Sequence, residues 1–517
     1  WRSGKLCDIT KAPYSAVGNG NVKNTQAIQR AIMDCGKHPG GGTVLVPERS
    51  GIFVTGSLWL GSHVTLRVEQ GATLLGSPDS GDFPMVYSRR EGQMMMAHAG
   101  LLNAGYCARM KSPSVGWDDC QTWEKVEDIV IEGRGTLDAN GDQWQSLTSK
   151  TSSSAGLVRP VMLDLMWVNG LTIRGLRIRR PAFWTVHPTF SNNVRVTQLN
   201  LVAKGFQTDG IDPDSSWNVY IGGNSLESGD DCIAIKAGKD WSGRMINIST
   251  SNVLAENNLF LSGRGISIGS ETSGGISDIM IRNSELRGTM RAVRLKSVRG
   301  RGGAIRRVSY EGLHGNVEDA FSIKLTYKES KGSERAGATN SSATPHVSDV
   351  HFRNMHLVAK KFMDCDGLED SPVEGLTMQN VTVVGKLSDH LGKCAYCNIQ
   401  ASSVKPWPCG TAGPPPPSEQ EFRGDGPQPP VSLNAARSDC RLMRQVDGVP
   451  CVHGENFWCY PRDRSIHTKG GCHGIFACSG AQGLTCGKTS KGKSQVCRCQ
   501  MPKNGIPASV RAGVRGR

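Results

Sequence analysis

Six charged side chains recur between positions 208 and 296, each after a copy of one short hydrophobic segment. They are three carboxylates and three cations: Asp209, Asp230, Asp231, Arg264, Arg294 and Lys296. Two carboxyl groups at one site can divide acid and base work, because one can hold a proton while the other stays ionised. Arg294 and Lys296 are alternate residues of one predicted strand, so they should point the same way and could bind a carboxylate.

Crowding of the three carboxylates should raise the apparent pKa of at least one of them, because like charges oppose full ionisation. Two carboxyl groups that flank a glycosidic bond are what its hydrolysis requires, since one protonates the leaving oxygen and the other activates water. Taken alone, an Asp-Asp pair is typical of a turn or a calcium site, and an Arg-x-Lys of a solvated strand. Their joint order and phase favour a functional site.

The elements that must position these residues are copies of one repeat. The copies begin near residues 129, 171, 194, 219, 253, 279, 308, 350 and 376, and most are roughly 23 to 34 residues apart. Each alternates inward and outward side chains before a Gly or Asn at a bend, and one copy cannot bury its apolar face alone. We therefore predict an all-β fold, a right-handed parallel β-helix. A propeller fits less well because the units are too short for four strands.

The phase of the repeat predicts which side chains meet. Neighbouring coils of a parallel solenoid lie about 4.8 Å apart, and Asp209 and Asp230 are close to one repeat apart. Asp230 and Arg264 both lie eleven positions after a strand anchor, Val219 and Val253 respectively. The sequence therefore predicts that the carboxylate of Asp230 stacks on Arg264.

A single early helix is predicted over 24–35, with Asn24 as its N-cap. Its apolar positions fall at i, i+3, i+4 and i+7: Ile28, Ala31, Ile32 and Cys35. A strand is predicted at 43–47. This helix should cap the first coil, which would otherwise expose its core.

The composition indicates the kind of partner and the cellular compartment of the protein. The 517 residues carry 60 Lys+Arg against 46 Asp+Glu, a net charge of +14, so an acidic partner is expected. Nucleic acid, anionic lipid and acidic polysaccharide all fit the charge, but the sequence has no apolar run long enough to span a membrane. Seventeen cysteines favour disulfides and secretion.

Four domains are predicted: a β-helix over 1–400, a proline-rich linker over 401–435, a cysteine-rich disulfide module over 436–500, and a basic disordered tail over 501–517. Within the module, His453, Cys472, His473 and Cys478 could bind zinc. Disulfides are favoured there, because paired Cys-x-x-Cys spacing is missing from this segment and the chain reads as secreted.

Four motifs occur in one order along the chain. They are Thr208-Asp209-Gly210, Gly229-Asp230-Asp231-Cys232-Ile233-Ala234-Ile235-Lys236, Ser262-Gly263-Arg264-Gly265-Ile266-Ser267-Ile268-Gly269-Ser270 and Arg294-Leu295-Lys296. In this order they resemble the polygalacturonase family, glycoside hydrolase family 28, and the resemblance runs from about residue 8 to about residue 400. The phrase from Gly210 to Ser216 is similar to the branch richer in exo-acting members, which tilts the prediction towards exo action.

The resemblance implies inverting hydrolysis of the α-1,4-galacturonosyl bonds of pectin on a right-handed parallel β-helix, with no metal and no cofactor. Asp230 resembles the general acid, and Asp209 and Asp231 resemble the pair that activates water. The substrate-binding residues that it implies are Arg264, Arg294, Lys296 and Tyr327, with Arg294 and Lys296 as ligands of a galacturonate carboxylate.

Arg264 departs from the family pattern, which has His at this position. Arginine does not titrate in the working range, and a fixed cation should lower the pKa of Asp230 and weaken it as an acid. Alternatively, Arg264 binds a galacturonate carboxylate and leaves slow catalysis intact. His187 is expected at a turn or a rim contact.

We predict a secreted, cell-wall-directed enzyme that is a monomer and binds galacturonan, with no nucleic acid and no membrane as partner. A second hypothesis is a non-catalytic binder of acidic polysaccharide on the same scaffold. A third, a calcium-dependent lyase, ranks last because the Arg294-Leu295-Lys296 motif matches the hydrolase order. The loops 85–125 and 328–346 are the candidates for deciding between exo and endo action.

Overall fold

The computed structural model describes residues 4–105, 125–144, 158–327, 343–387 and 392–407, together with the backbone of six strands between 440 and 498. The chain divides into two compact units, residues 1–414 and 415–517. Two α-helices lie within the described part, α1 Thr25–Gly36 and α2 Asp240–Ile246, with a 3₁₀ turn at Ser80–Asp82.

The strands of the first unit follow one another in short steps. In chain order they are β1 Lys5–Asp8, β2 Asn19–Lys23, β3 Gly42–Val46, β4 Gly51–Thr55, β5 Leu58–Trp59, β6 Val64–Val68, β7 Ala72–Gly76, β8 Met85–Arg90, β9 Gln93–His98, β10 Leu102–Ala104, β11 Val126–Gly133, β12 Thr136–Asp138, β13 Leu163–Met166, β14 Val168–Arg174, β15 Arg177–Arg179, β16 Val186–Thr189, β17 Asn192–Thr197, β18 Asn200–Ala203, β19 Trp217–Gly222, β20 Ser225–Ser228, β21 Ile233–Ile235, β22 Thr250–Glu256, β23 Leu259–Ser262, β24 Ile266–Ile268, β25 Ile276–Arg282, β26 Glu285–Lys296, β27 Ala304–Glu311, β28 His314–Lys324, β29 His346–Val358, β30 Lys361–Asp366, β31 Val373–Val384, β32 Cys394–Ala395 and β33 Cys397–Lys405.

Each coil of this unit hydrogen-bonds in parallel to the equivalent strand of the next coil, which makes the first unit the predicted right-handed parallel β-helix. The register keeps equivalent residues in line, as in Val219 opposite Val253, and Ile233 opposite Ile266 and then Val293. These inward residues are buried. The period-2 alternation of the sequence therefore becomes a continuous aliphatic core, with the polar residues between them left outside.

Helix α1 packs against β1, β3, β5 and β6 at the first coils, in the capping position predicted for it. Its four apolar positions are buried as expected, and Cys35 forms a disulfide with Cys7. Asn24 is the N-cap residue, as predicted, but its side chain makes no capping hydrogen bond. Asn24 is buried, and its amide instead accepts a hydrogen bond from the N–H of Val17 and donates to the carbonyls of Val17 and Val22. The backbone of the preceding loop therefore uses the hydrogen-bonding groups of this side chain, which are then not available to the first N–H groups of the helix.

Strands β8 and β9 form an antiparallel hairpin within the predicted loop 85–125. The residues 106–124 of that loop, and 328–342 of the second candidate loop, lie outside the described residues. Near the other end of the solenoid, a disulfide joins Cys365 to Cys397.

The second unit contains two antiparallel three-stranded sheets. Its strands are β34 Cys440–Gly448, β35 Phe457–Tyr460, β36 Ser465–Thr468, β37 Cys472–Cys478, β38 Ala481–Gly487 and β39 Gln495–Arg498. One sheet has the order β34-β37-β38 and the other β35-β36-β39. The disulfides and the zinc alternative predicted for this segment depend on side chains outside the described residues. No helix of the described ranges is long and apolar enough to cross a membrane.

Candidate active site

The stacking predicted for Asp230 and Arg264 is present. The backbone N–H of Arg264 donates to the carbonyl of Asp230 over 2.7 Å, so the two residues lie on adjacent coils. Their side chains also meet, with Nη1 of Arg264 3.4 Å from Oδ2 of Asp230. Equal offsets from Val219 and Val253 thus become a direct contact, because those two anchors are register partners.

Asp231 is buried among hydrogen-bond donors. Nζ of Lys296 lies 2.6 Å from its Oδ2, Nη1 of Arg294 lies 3.4 Å from its Oδ1, and Ser267 donates to Oδ1 over 2.6 Å. Burial alone would raise the pKa of Asp231, but the cations Lys296 and Arg294 outweigh burial and hold that pKa well below its usual range. Asp231 is therefore ionised throughout the ordinary pH range.

Asp209 meets a different cation. It is buried, and its Oδ2 accepts a hydrogen bond from Nζ of Lys236 over 3.2 Å. Burial raises the pKa of Asp209 to about 7, and the negative charges of Asp230 and Asp231 also raise it against the opposing effect of Lys236. The sequence-based expectation that crowding raises at least one carboxyl pKa is met here.

Asp230 holds its proton more firmly than an ordinary aspartate. Burial and the charge of Asp231 raise its pKa, while Arg264 lowers it, and the net direction is upward. The sequence-based expectation about Arg264 is correct in sign, yet it is not the dominant effect. The expectation considered the effect of one cation on the pKa of Asp230 and omitted the opposite effect of burial, which depends on the folded structure.

Lys236 is a site residue that the sequence analysis did not single out. It is buried, with Nζ 3.6 Å from Oε2 of Glu271 and 4.0 Å from the ring centroid of Trp184. Burial would lower the pKa of Lys236, but Glu271 and Asp209 raise it well above its ordinary value, so it remains a cation. The available signal was its place at the end of the Gly-Asp-Asp motif, where a charged residue follows a buried strand.

The predicted substrate-binding cations lie beside Tyr327. The guanidinium of Arg294 is 5.4 Å, and Nζ of Lys296 5.7 Å, from the centroid of the Tyr327 ring. All three border a cavity of about 390 Å³. The structure thus brings together Arg294, Lys296 and Tyr327, and through Asp231 it joins them to the carboxylate cluster.

A second buried charged layer lies under the hairpin. His187 was expected at a turn or rim, and that expectation was wrong: it is buried, 3.8 Å from Asp164 and 3.5 Å from Asp214. The same two carboxylates contact arginines of β8. Arg89 lies 3.4 Å from Asp214, and Arg90 lies 3.1 Å from Asp164. The hairpin thus contacts both carboxylates beside His187, and the sequence carries no local sign of those contacts.

The hairpin turn contacts the chain both before Asp209 and after Lys236. Before Asp209, Nε2 of Gln207 donates to Oε1 of Glu91 over 2.9 Å. After Lys236, the N–H of Lys239 donates to the carbonyl of Gly92 over 2.9 Å. The turn at Glu91 and Gly92 therefore contacts the chain two residues before Asp209 and three residues after Lys236.

Residues 99–403 match the glycosyl hydrolases family 28. The chain belongs to this family. Among glycosyl hydrolases of family 28 and their relatives, it is 29% identical over 412 residues to a probable polygalacturonase of Vitis vinifera, covering 77% of this chain and 79% of the relative. It is 27% identical over 391 residues to an endo-polygalacturonase of Pectobacterium carotovorum subsp. carotovorum, covering 72% and 86%.

The fold is similar to the crystal structure of a hyperthermoactive exopolygalacturonase from Thermotoga maritima. The TM-score is 0.65 at 24% identity, over 77% of this chain and 91% of the other. The family match of this glycosyl hydrolase includes every predicted site residue, from Asp209 to Tyr327, and stops before the second unit.

Proposed function

We propose that the protein hydrolyses the α-1,4-galacturonosyl bonds of polygalacturonate with inversion. One observation carries this proposal: three aspartates cluster at one site and pair with different cations. The environment of Asp231 lowers its pKa, and the environment of Asp230 raises it. A pair that keeps one proton and one charge is what acid–base cleavage of a glycosidic bond uses.

In this mechanism Asp230 donates its proton to the leaving glycosidic oxygen. Asp231 takes a proton from the attacking water, and Asp209 shares that role where it is ionised, near and above its pKa of about 7. The water adds on the face of the sugar opposite the leaving group, so the configuration at the anomeric carbon inverts. Lys236 and Lys296 contact Asp209 and Asp231 on the base side of the cluster, whereas burial and the charge of Asp231 raise the pKa of Asp230 and favour its acid form.

Arg264 is proposed to slow this reaction without abolishing it. Its guanidinium favours the ionised form of Asp230, which opposes the acid role, but burial and Asp231 keep the pKa of Asp230 raised. The side chain of Arg264 is also partly exposed. It can therefore bind a galacturonate carboxylate as well, in accord with the family difference at this position.

The proposed substrate is galacturonan, bound through its carboxylates by Arg294 and Lys296 with Tyr327 beside them. The net charge of +14 favours such an acidic polymer, and the relatives named above are polygalacturonases. A protein cation lies within 4 Å of each catalytic aspartate, which suits the hydrolase better than calcium-dependent elimination. We also propose that the protein is an extracellular monomer that acts on cell walls, and that it has the four domains predicted from the sequence.

We further propose exo action, since the hairpin turn closes one end of the groove. Its contacts with Gln207 and Lys239 lie on both sides of the catalytic strands, and Arg89 and Arg90 fix its base. A chain end would enter against this wall, while the rest of the polymer would leave over Arg294 and Lys296.

The test is hydrolysis of polygalacturonic acid by the wild-type protein beside Asp230→Asn. We expect reducing ends to accumulate with the wild type and kcat to fall about 10²- to 10⁴-fold in the variant, because the proton donor is lost. Glu285→Gln, a surface carboxylate paired with Arg287, is the matched control and should keep full activity. Wild-type binding of the polymer without new reducing ends would contradict the proposal and support the non-catalytic binder.

A further inference from the structure

The cavity of about 390 Å³ holds more cations than one substrate carboxylate needs. Arg291 and Lys324 line it in addition to Arg294 and Lys296, and Asp366 is the carboxylate among the lining residues. The volume is within the range of sites that bind small molecules. Four cations against one carboxylate make the cavity suited to an anion with more than one charge.

The two additional cations are placed by the repeat. Lys324 is the register partner of Lys296 on the next coil, so the two lie about 4.8 Å apart along the stack. Arg291 lies on the same strand as Arg294, three residues earlier. Lys324 therefore extends the row of cations by one coil, whereas Arg291 lies on the coil of Arg294 and Lys296.

The additional cations are also the more accessible ones. Arg294 and Lys296, which contact Asp231, have side chains only 10% and 8% exposed. The side chains of Arg291 and Lys324 are 21% and 40% exposed.

Each of these two cations meets one protein carboxylate and has further donors to use. Arg291 pairs with Asp319 at 3.3 Å, and Lys324 pairs with Asp364 at 3.2 Å. The buried Nε of Arg291 makes no hydrogen bond to any residue in the described part of the chain. Because a guanidinium has five N–H donors and an ammonium three, both side chains can also donate to a ligand carboxylate.

We propose that Arg291 and Lys324 form a second carboxylate subsite, which binds the uronate unit one position beyond the unit held by Arg294 and Lys296. This inference rests on the proposed function and deepens it. The enzyme would then recognise two adjacent free carboxylates on the open side of the scissile bond. A neutral methyl ester at the second unit would lose the ionic contact.

The experiment compares Arg291→Gln and Lys324→Gln with the wild type on di- and trigalacturonate. The dimer occupies only the two units that flank the cleaved bond, whereas the trimer adds the unit at the proposed subsite. We expect KM for the trimer to rise about tenfold in each variant with kcat nearly unchanged, since a charge-assisted contact is lost in ground and transition state alike. KM for the dimer should stay within about twofold of the wild type.

Arg287→Gln is the matched control, because Arg287 is an exposed arginine of the same strand that pairs with Glu285 and does not line the cavity. It should leave both substrates unaffected. Equal loss on dimer and trimer, or no change on the trimer, would overturn the subsite.

Failure of the proposed function has a different signature. If the wild type releases no reducing ends from polygalacturonic acid, the hydrolase proposal fails, and calorimetric binding of trigalacturonate to the same variants still tests the subsite. Weaker trimer binding in Arg291→Gln and Lys324→Gln with unchanged dimer binding would support the subsite. Unchanged trimer binding would overturn it.

Discussion

At the scale of residues, the three carboxyl groups of the site differ in the cations that contact them. Asp209, Asp230 and Asp231 are all largely removed from water. Asp231 meets two cations at short range, whereas Asp209 has Lys236 and Asp230 has Arg264. The balance between burial and local charge therefore falls differently for each carboxyl group, which is how one cluster can offer an acid and a base together.

The raised pKa of Asp209 predicts that this residue lowers stability at neutral pH. Well below pH 3.8 the carboxyl is protonated in both the native and the unfolded chain, so it contributes nothing. Between its ordinary pKa of 3.8 and its native pKa of about 7, the native state alone keeps the proton, so stability falls as the pH rises.

Replacing Asp209 by Asn should therefore stabilise the protein at pH 7 while it reduces activity. The shift corresponds to about 4 kcal/mol, from which the lost partner of Lys236 subtracts, so we expect a gain of about 2 kcal/mol in unfolding free energy. Urea unfolding at pH 4 and pH 7 measures it, with the exposed Glu127→Gln as control. A gain that is equal at both pH values would show that titration of Asp209 is not its source.

At the scale of elements, the hairpin β8–β9 is held to the solenoid by buried charge as well as by its turn. Arg89 is fully buried, donates to Oγ of Ser215 over 2.9 Å, and lies 4.8 Å from the centroid of the Phe190 ring. Breaking such a contact would leave an uncompensated buried cation, which is strongly unfavourable. The base of the hairpin is therefore fixed to the solenoid.

Substituting Gly92 by Ala should displace the hairpin turn. Gly92 has φ of +74°, and a Cβ there would come within 2.7 Å of the backbone nitrogen of Lys239. We expect destabilisation of about 2 to 4 kcal/mol from backbone strain and overpacking. If the turn closes the groove, products from polygalacturonate should shift from monomer towards longer oligomers, as measured by product-size analysis.

Gly223→Ala is the control for the backbone cost alone. Gly223 has a similar φ of +67°, but a Cβ there meets nothing within 4 Å. It should lose about 1 to 2 kcal/mol and keep the wild-type product profile. A Gly92→Ala protein that folds and still releases only monomer would contradict the role of the hairpin.

The elements also show what a sequence can reveal. The coils, the capping helix and the contact of Asp230 with Arg264 were predictable because a stacked repeat converts sequence offset into register. The burial of Lys236 between Asp209 and Glu271 was not predictable, because the motif that ends at Lys236 does not show how far the residue is buried. The burial of His187 was not predictable either, because the hairpin that contacts its partner Asp214 lies more than a hundred positions away. Local pattern carries no information on such a contact.

At the scale of the whole molecule, the candidate site belongs to the first of the two units. All the described side chains of the site come from residues 1–414, and the family match ends at residue 403. The parallel strands of the first unit continue to Lys405, where the disulfide of Cys397 with Cys365 secures the last coils. The first unit therefore contains its own core, its cap at the first coils and the complete candidate site.

A chain that ends at residue 414 should therefore fold and hydrolyse soluble polygalacturonate with kcat/KM within about twofold of the full-length protein, because the truncation leaves every site contact in place. Circular dichroism and thermal unfolding of the shortened chain check folding, and reducing-end release checks activity. The same truncation combined with Asp230→Asn should be as inactive as the full-length variant. If the shortened chain folds but loses activity, the second unit supplies something to the reaction, and the site built from Asp209 to Tyr327 is incomplete without it.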